Sequence, residues 1–256
     1  MGATLRYVLL TAIRDRIYAA LFAAILLACL VSSFLGSAAM AEGQAMSAVF
    51  AAASIRILAI GGLVVFVCFH VRRLAESKEL EAMLARPLSR ERFILAYASG
   101  LWIAALLLIL PAAALLGLAF RPSAEGFLLW SASLLLEGLV MTTLALFAAI
   151  TIETASGAVV VCGGFYALSR MMSFFLDIAR SKVAEGGDGG SFGVFMRYAI
   201  EGLSTLMPRL DLFSRTEWLV HGTVTAPLWQ ALLAQTAIYV PLLLLAAMFD
   251  LSRKRF

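Results

Sequence analysis

"LLWSASLLLEGLVMTTLALFAAI", Leu128–Ile150, holds one ionisable side chain, Glu137, in twenty-three residues. Its polar residues Ser131, Ser133, Thr142 and Thr143 do not alternate with apolar ones. A transmembrane barrel strand needs about ten residues of polar-in, apolar-out alternation, so the run is not one. A helix keeps every backbone group paired in hydrocarbon and needs ~20 residues to cross about 30 Å of it. The stretch reads as a membrane-spanning helix. Comparable runs flank it at Ile17–Met40, about Ser54–Val71, Phe93–Phe120, Ala155–Leu176 and Ala226–Phe249, with Gly126–Ile150 completing the set. The chain is 62% hydrophobic, against ~45–50% for soluble domains. A soluble core of such runs would leave too few polar residues for a surface. The expected fold is an all-α membrane protein with six transmembrane helices, forming one transmembrane domain over residues 1–256.

Lys and Arg in the connections set the orientation. Arg6, Arg14 and Arg16 precede the first run, Arg72, Arg73, Lys78, Arg86, Arg90 and Arg92 follow the second, and Arg253, Lys254 and Arg255 close the chain. With six spans these fall on one side, so both termini are expected to be cytoplasmic. The net charge of +4 reflects that asymmetry, and nucleic acid need not be invoked as a partner. "IYAALFAAILLACLV" followed by "SAAMAEG" has the makings of a signal peptide cut after Ala41. The long amphipathic leader and full spanning length favour an uncleaved first span instead. Cys29, Cys68 and Cys162 lie inside runs at spacings that match neither a metal site nor a secreted disulfide frame; they read as small packing residues.

Residues 1–16 place Leu5, Val8, Leu9, Ala12 and Ile13 on one helical face, as in a helix lying at the membrane interface. The alternative is a simple extension of the first span. Between spans five and six, the loop 181–225 opens on "EGGDGGS", a flexible linker by composition. It continues with "FGVFMRYAIEGLSTLMP", whose apolar stripe of Phe195, Met196, Ala199, Ile200, Leu203, Leu206 and Met207 predicts an amphipathic external helix ending at Pro208, with an irregular loop as the alternative.

The most polar stretch is "RRLAESKELEAMLARPLSRERF", Arg72–Phe93, with ten charged residues in twenty-two. Glu76, Glu79 and Glu81 lead and Arg86, Arg90 and Arg92 follow, which suits the dipole of a helix from about Ala75 to Ala85. Leu80, Met83 and Leu84 make an apolar ridge, and Pro87 stops the helix. A short amphipathic helix of this kind docks in a partner's groove; a solvated loop carrying inside-positive charge is the competing reading.

This segment resembles the coupling region of ATP-binding cassette (ABC) transporter permeases of the type-two exporter group. Members show an acidic helix, a Leu-Leu-x-x-Pro-[Ile/Leu]-[Ser/Thr]-Arg turn, then a span with an early glycine; here Met83–Leu84, Pro87–Arg90 and Gly100 take those places. Residues 1–16 resemble the family's elbow helix, "LMPRLDLF" (Leu206–Phe213) its outer segment, and "LSRKRF" its basic tail. Ala96 and Tyr97 stand where Gly-Lys is frequent. The resemblance implies an exporter permease in a bacterial cytoplasmic membrane, paired with a second copy or a homologous permease. Residues 74–90 would be a coupling helix that docks one of two cytoplasmic ABC ATPase subunits, through Glu76, Glu79, Leu80, Met83, Leu84, Arg86, Pro87 and Arg90. ATP and Mg would sit on those subunits. This chain has no Gly-x4-Gly-Lys-[Ser/Thr] loop of its own, and no cofactor or metal is expected in it.

Ionisable residues at membrane depth are costly and therefore informative. Glu137 falls mid-span in run four, Arg170 in the outer half of run five, and Arg56 near the outer end of run two. A structural Glu137–Arg170 pair is expected, with lining of a polar substrate path as the alternative. His70 and His221 match no metal motif and read as interfacial residues. The serines assemble no nucleophile–base constellation. Phe66, Phe69, Trp102, Phe165, Met171 and Phe174 could line an apolar path for lipid-like cargo or simply face lipid. An ATP-independent channel or scaffold, docking some other protein on the same loop, is the rival function; a membrane-embedded enzyme ranks third.

Overall fold

The computed structural model describes Thr11 and residues 15–38, 42–77, 90–184, 198–200, 202, 207–222 and 226–253. Regular structure among them is helical throughout: α1 Arg16–Ala38, α2 Gly43–Glu76, α3 Arg90–Phe120, α4 Ala124–Thr151, α5 Ala155–Arg170, α6 Met172–Ala184, a 3-10 turn Leu210–Phe213, α7 Glu217–His221 and α8 Ala226–Arg253. Five of these helices are long and apolar enough to cross a membrane, and α5 with α6 makes a sixth if that pair, bent by 46°, is one span. The chain is an all-helical, multi-pass membrane protein.

Tight turns make the helices antiparallel neighbours. Glu42, with φ 53°, turns the chain between α1 and α2. Arg121, with φ 44°, ends α3 by returning its N–H to Gly117 O, and Pro122 prevents continuation. One end of the bundle collects Arg16, Arg72, Arg73, Arg92 and Arg253, and is called the basic end below. At the opposite end the Ser214–Gly222 stretch lies against the start of α4. A Cβ on Gly126 would stand 1.9 Å from Trp218 O, so only glycine allows that approach.

Helix α4 is the central element, packed against α2, α3, α5, α7 and α8. Lipid offers no hydrophobic driving force between helices, so small side chains that permit close approach decide the contacts. Ala51, Ala52, Ala59, Ala104, Ala105, Ala145 and Ala149 are accordingly buried. Polar groups add directional ties: Tyr18 Oη donates to Ala104 O at 3.1 Å, joining α1 to α3, and Trp102 Nε1 donates to Thr143 Oγ1 at 3.1 Å, joining α3 to α4. Large apolar residues on the outer faces, such as Leu30, Phe34, Leu242 and Phe249, are exposed. Their place is against lipid.

Two spans differ from the sequence expectation. Span two begins at Gly43 rather than Ser54, because "GQAMSAVFAAA" is rich in good helix formers. Ala48, Ala51 and Ala52 of that added stretch are buried, and α1 is the helix most extensively packed on α2. Span five is not continuous over Ala155–Leu176: it breaks at Met171. Neither proline nor glycine marks the break. The external amphipathic helix is helical where described, at 198–200 and 202, and the rest of that prediction lies outside the described residues. So does most of residues 1–16. Within "LMPRLDLF", of which Leu206 lies outside the described residues, Leu210–Phe213 forms the 3-10 turn, whose Leu210 and Phe213 are fully buried; the Arg209 N–H donates to Gln235 Oε1 of α8 at 2.9 Å.

Candidate functional site

The bundle's deepest polar feature gathers the three intramembrane charges noted in the sequence. Arg56 and Glu137 have fully buried side chains, and Arg56 Nη1 donates directly to Glu137 Oε2. Arg170 reaches the other carboxylate oxygen less closely: its Nη1 stands 3.8 Å from Glu137 Oε1, and 24% of its side chain is exposed. Glu137 therefore meets both guanidiniums, with Arg56 as the direct partner. The expected pair with Arg170 is the looser of the two contacts. Arg56 is not near a helix end, as the run Ser54–Val71 implied. Thirteen residues of α2 precede it, about 20 Å at 1.5 Å per residue.

Each helix supplies its part for a local reason. On α4, Trp130, Ser133 and Glu137 recur at i, i+3 and i+7, one face of the helix. Arg56 Nη2 donates to Ser133 Oγ at 2.9 Å and to Trp130 O at 3.4 Å, while Ser133 Oγ donates to Trp130 O at 2.7 Å. The Arg56 guanidinium also lies 5.4 Å from the Trp130 ring centroid, a cation–π contact that a dry site strengthens. On α5, Tyr166 and Arg170 are one turn apart, and Arg170 Nη1 donates to Tyr166 Oη. Arg170 is the last residue of α5, where the helix dipole favours a cation by a fraction of a charge. The break in span five, at Met171, thus directly follows Arg170, whose guanidinium faces Glu137. Trp130, Ser133 and Tyr166 are participants that sequence reasoning did not assign to the cluster; the spacing of Trp130 and Ser133 seven and four residues before Glu137, and of Tyr166 four before Arg170, was the available signal.

A cavity of about 110 Å³ lies at the basic end. Its lining comes from the end of α2 (Val71, Leu74, Ala75), the start of α3 (Phe93, Ile94, Tyr97), the end of α4 (Leu146, Ile150) and Leu251 of α8. Beside it runs a column of rings: Tyr18 meets Phe66 edge-on at 4.9 Å, Phe66 stacks on His70 at 5.3 Å, and His70 on Tyr97 at 5.9 Å. His70 is buried there, between the Phe66 and Tyr97 rings.

Of the sequence-derived coupling residues, Glu76 is the last residue of α2 and Arg90 the first of α3. Leu74–Glu76 complete α2 instead of opening a separate helix. Glu79, Leu80, Met83, Leu84, Arg86 and Pro87 lie outside the described residues. Of the residues suggested for an apolar path or a lipid-facing surface, Phe66 is buried in the ring column, Trp102 and Phe165 are half-buried, and Phe69, Met171 and Phe174 are exposed. Among the described residues, no three His, Cys, Asp or Glu side chains cluster as metal ligands, and the three cysteines are free and buried. The chain matches no known family model, and no curated protein matches it significantly.

Proposed function

We propose that the chain is the permease subunit of an ATP-driven ABC exporter of a bacterial cytoplasmic membrane, with both termini cytoplasmic. It works as a pair with itself or a homologous permease, and cytoplasmic ATPase subunits dock on the 74–90 segment. The resemblance of "EAMLARPLSRERF" to the type-two exporter coupling region supplies the ATPase. One structural observation carries the mechanical side of the reading: α2 is a single unbroken helix from Gly43 to Glu76. It joins the charged segment directly to Arg56, twenty residues away, about 30 Å at 1.5 Å per residue. A displacement of the segment by a closing ATPase would be delivered along α2 to the Arg56–Glu137 pair. The apolar cavity between the basic ends of α2, α3 and α4 leaves room for those ends to shift. A broken span beside buried charges is also how transporters build a site at membrane depth.

The channel or scaffold reading draws on the complete burial of Arg56 and Glu137, which suits a static tie. Co-purification separates the two. The tagged chain, extracted in mild detergent, is expected to retain a soluble ATPase subunit, and Leu84→Asp is expected to lose it. Intact wild-type chain that brings down no ATPase contradicts the proposal.

A further inference from the structure

One carboxylate serves two guanidiniums in the buried cluster, and the two are not served equally. Arg56 bonds directly to Glu137, Ser133 and the Trp130 carbonyl. Arg170 stands beyond hydrogen-bond distance of Glu137, at 3.8 Å, and donates to the neutral Tyr166 hydroxyl. Among the described residues, no second carboxylate pairs with Arg170. Among the described residues the cluster thus sets two guanidiniums against one carboxylate inside a spanning segment, where charges are paired or functional.

Arg170 is also the cluster's open member. It borders an exposed apolar face formed by Val160, Val161, Leu168 and Met171, continued past the break by Phe174. Gly163 and Gly164 form part of the floor of that face, and a Cβ on either would meet nothing within 4 Å. Arg170 is the one charge of the cluster with part of its side chain exposed, 24% of it. A molecule with an anionic head and a single hydrocarbon tail fits both features at once.

We propose that Arg170, backed by Tyr166 and Glu137, binds the carboxylate or phosphate head of an anionic amphiphile whose tail lies along the Gly163–Gly164 face of α5. As a binding site this stands on the cluster alone; as an assignment of cargo it rests on the permease reading.

The test is binding of tritiated palmitate to the full chain in phosphatidylcholine nanodiscs. Saturable binding is expected, displaced by palmitate and hexadecyl phosphate but not by hexadecanol or acetate. Arg170→Gln is expected to weaken it at least about tenfold, as loss of one partner of a desolvated charge pair does, and Arg170→Lys to restore much of it. Equal binding by Arg170→Gln overturns the site, as does equal displacement by hexadecanol. Displacement by acetate at the same concentration means a small-anion site and overturns the amphiphile. Absence of palmitate binding, with Leu168→Cys chains cross-linking to one another, gives the face to a second copy instead. If Arg170→Gln does not run as a monodisperse species, the competition series and Arg170→Lys decide. None of these readouts needs an ATPase: charge-dependent binding without ATPase co-purification sinks the permease alone, and the converse sinks the site alone.

Discussion

Removing either partner of the Arg56–Glu137 pair should damage the fold unequally. Glu137→Leu takes away the one carboxylate that Arg56 meets among the described residues. What remains around Arg56 is neutral, namely Ser133 Oγ at 2.9 Å, Trp130 O at 3.4 Å and the Trp130 ring. Leaving a buried charge without its partner costs about 3–5 kcal/mol. Arg56→Met leaves Glu137 with Arg170 at 3.8 Å. The gross attraction at that separation is about 4 kcal/mol at an effective dielectric near 20, so the expected cost falls to about 2 kcal/mol. Removing both, as Arg56→Met/Glu137→Leu, leaves only the partly exposed Arg170, and apolar replacement of a whole buried pair is often close to neutral. The expected order of stability is the double variant, then Arg56→Met, then Glu137→Leu. Equilibrium unfolding in mixed micelles, followed by far-ultraviolet circular dichroism, measures it. A double variant no more stable than Glu137→Leu refutes the reasoning.

Gly126→Ala should destabilise by about 1–3 kcal/mol, the usual cost of overpacking, because the new Cβ would meet the Trp218 backbone oxygen at 1.9 Å. Gly62→Ala meets the flexible Leu21 side chain at 2.3 Å and should cost less; thermal aggregation midpoints rank the two. Cys29, Cys68 and Cys162 are at most 6% exposed, so maleimide labelling of the native protein should be much slower than in denaturing detergent, and rapid native labelling contradicts the packing. A fluorescent-protein fusion after Phe256 should fluoresce and an alkaline-phosphatase fusion there should be inactive; the reverse result places the basic end outside.

The spans were legible because apolar runs of about 20 residues have few other uses. Glu137, Arg56 and Arg170 were legible because charge in such runs is costly. What the sequence hid has tertiary causes. The first eleven residues of α2 include five alanines, are helical by propensity, and bury Ser47, Ala48, Ala51 and Ala52 in a bundle where α1 packs most extensively on α2. The break at Met171 carries no proline or glycine signal. The choice of Arg56 over Arg170 as the direct partner of Glu137 follows from which helices pack on α4, which no local pattern encodes. The late start given to α2 also set Arg56 too close to a helix end, whereas thirteen residues of the helix precede it.

The permease account is tested most directly by ATP hydrolysis in proteoliposomes that contain the chain with whatever subunits co-extract with it. Vanadate-sensitive hydrolysis that falls at least about tenfold with Met83→Asp, as loss of a docking contact predicts, is the expected result. Hydrolysis unchanged by that substitution, or none from an intact wild-type preparation, contradicts the account and leaves the channel or scaffold in its place.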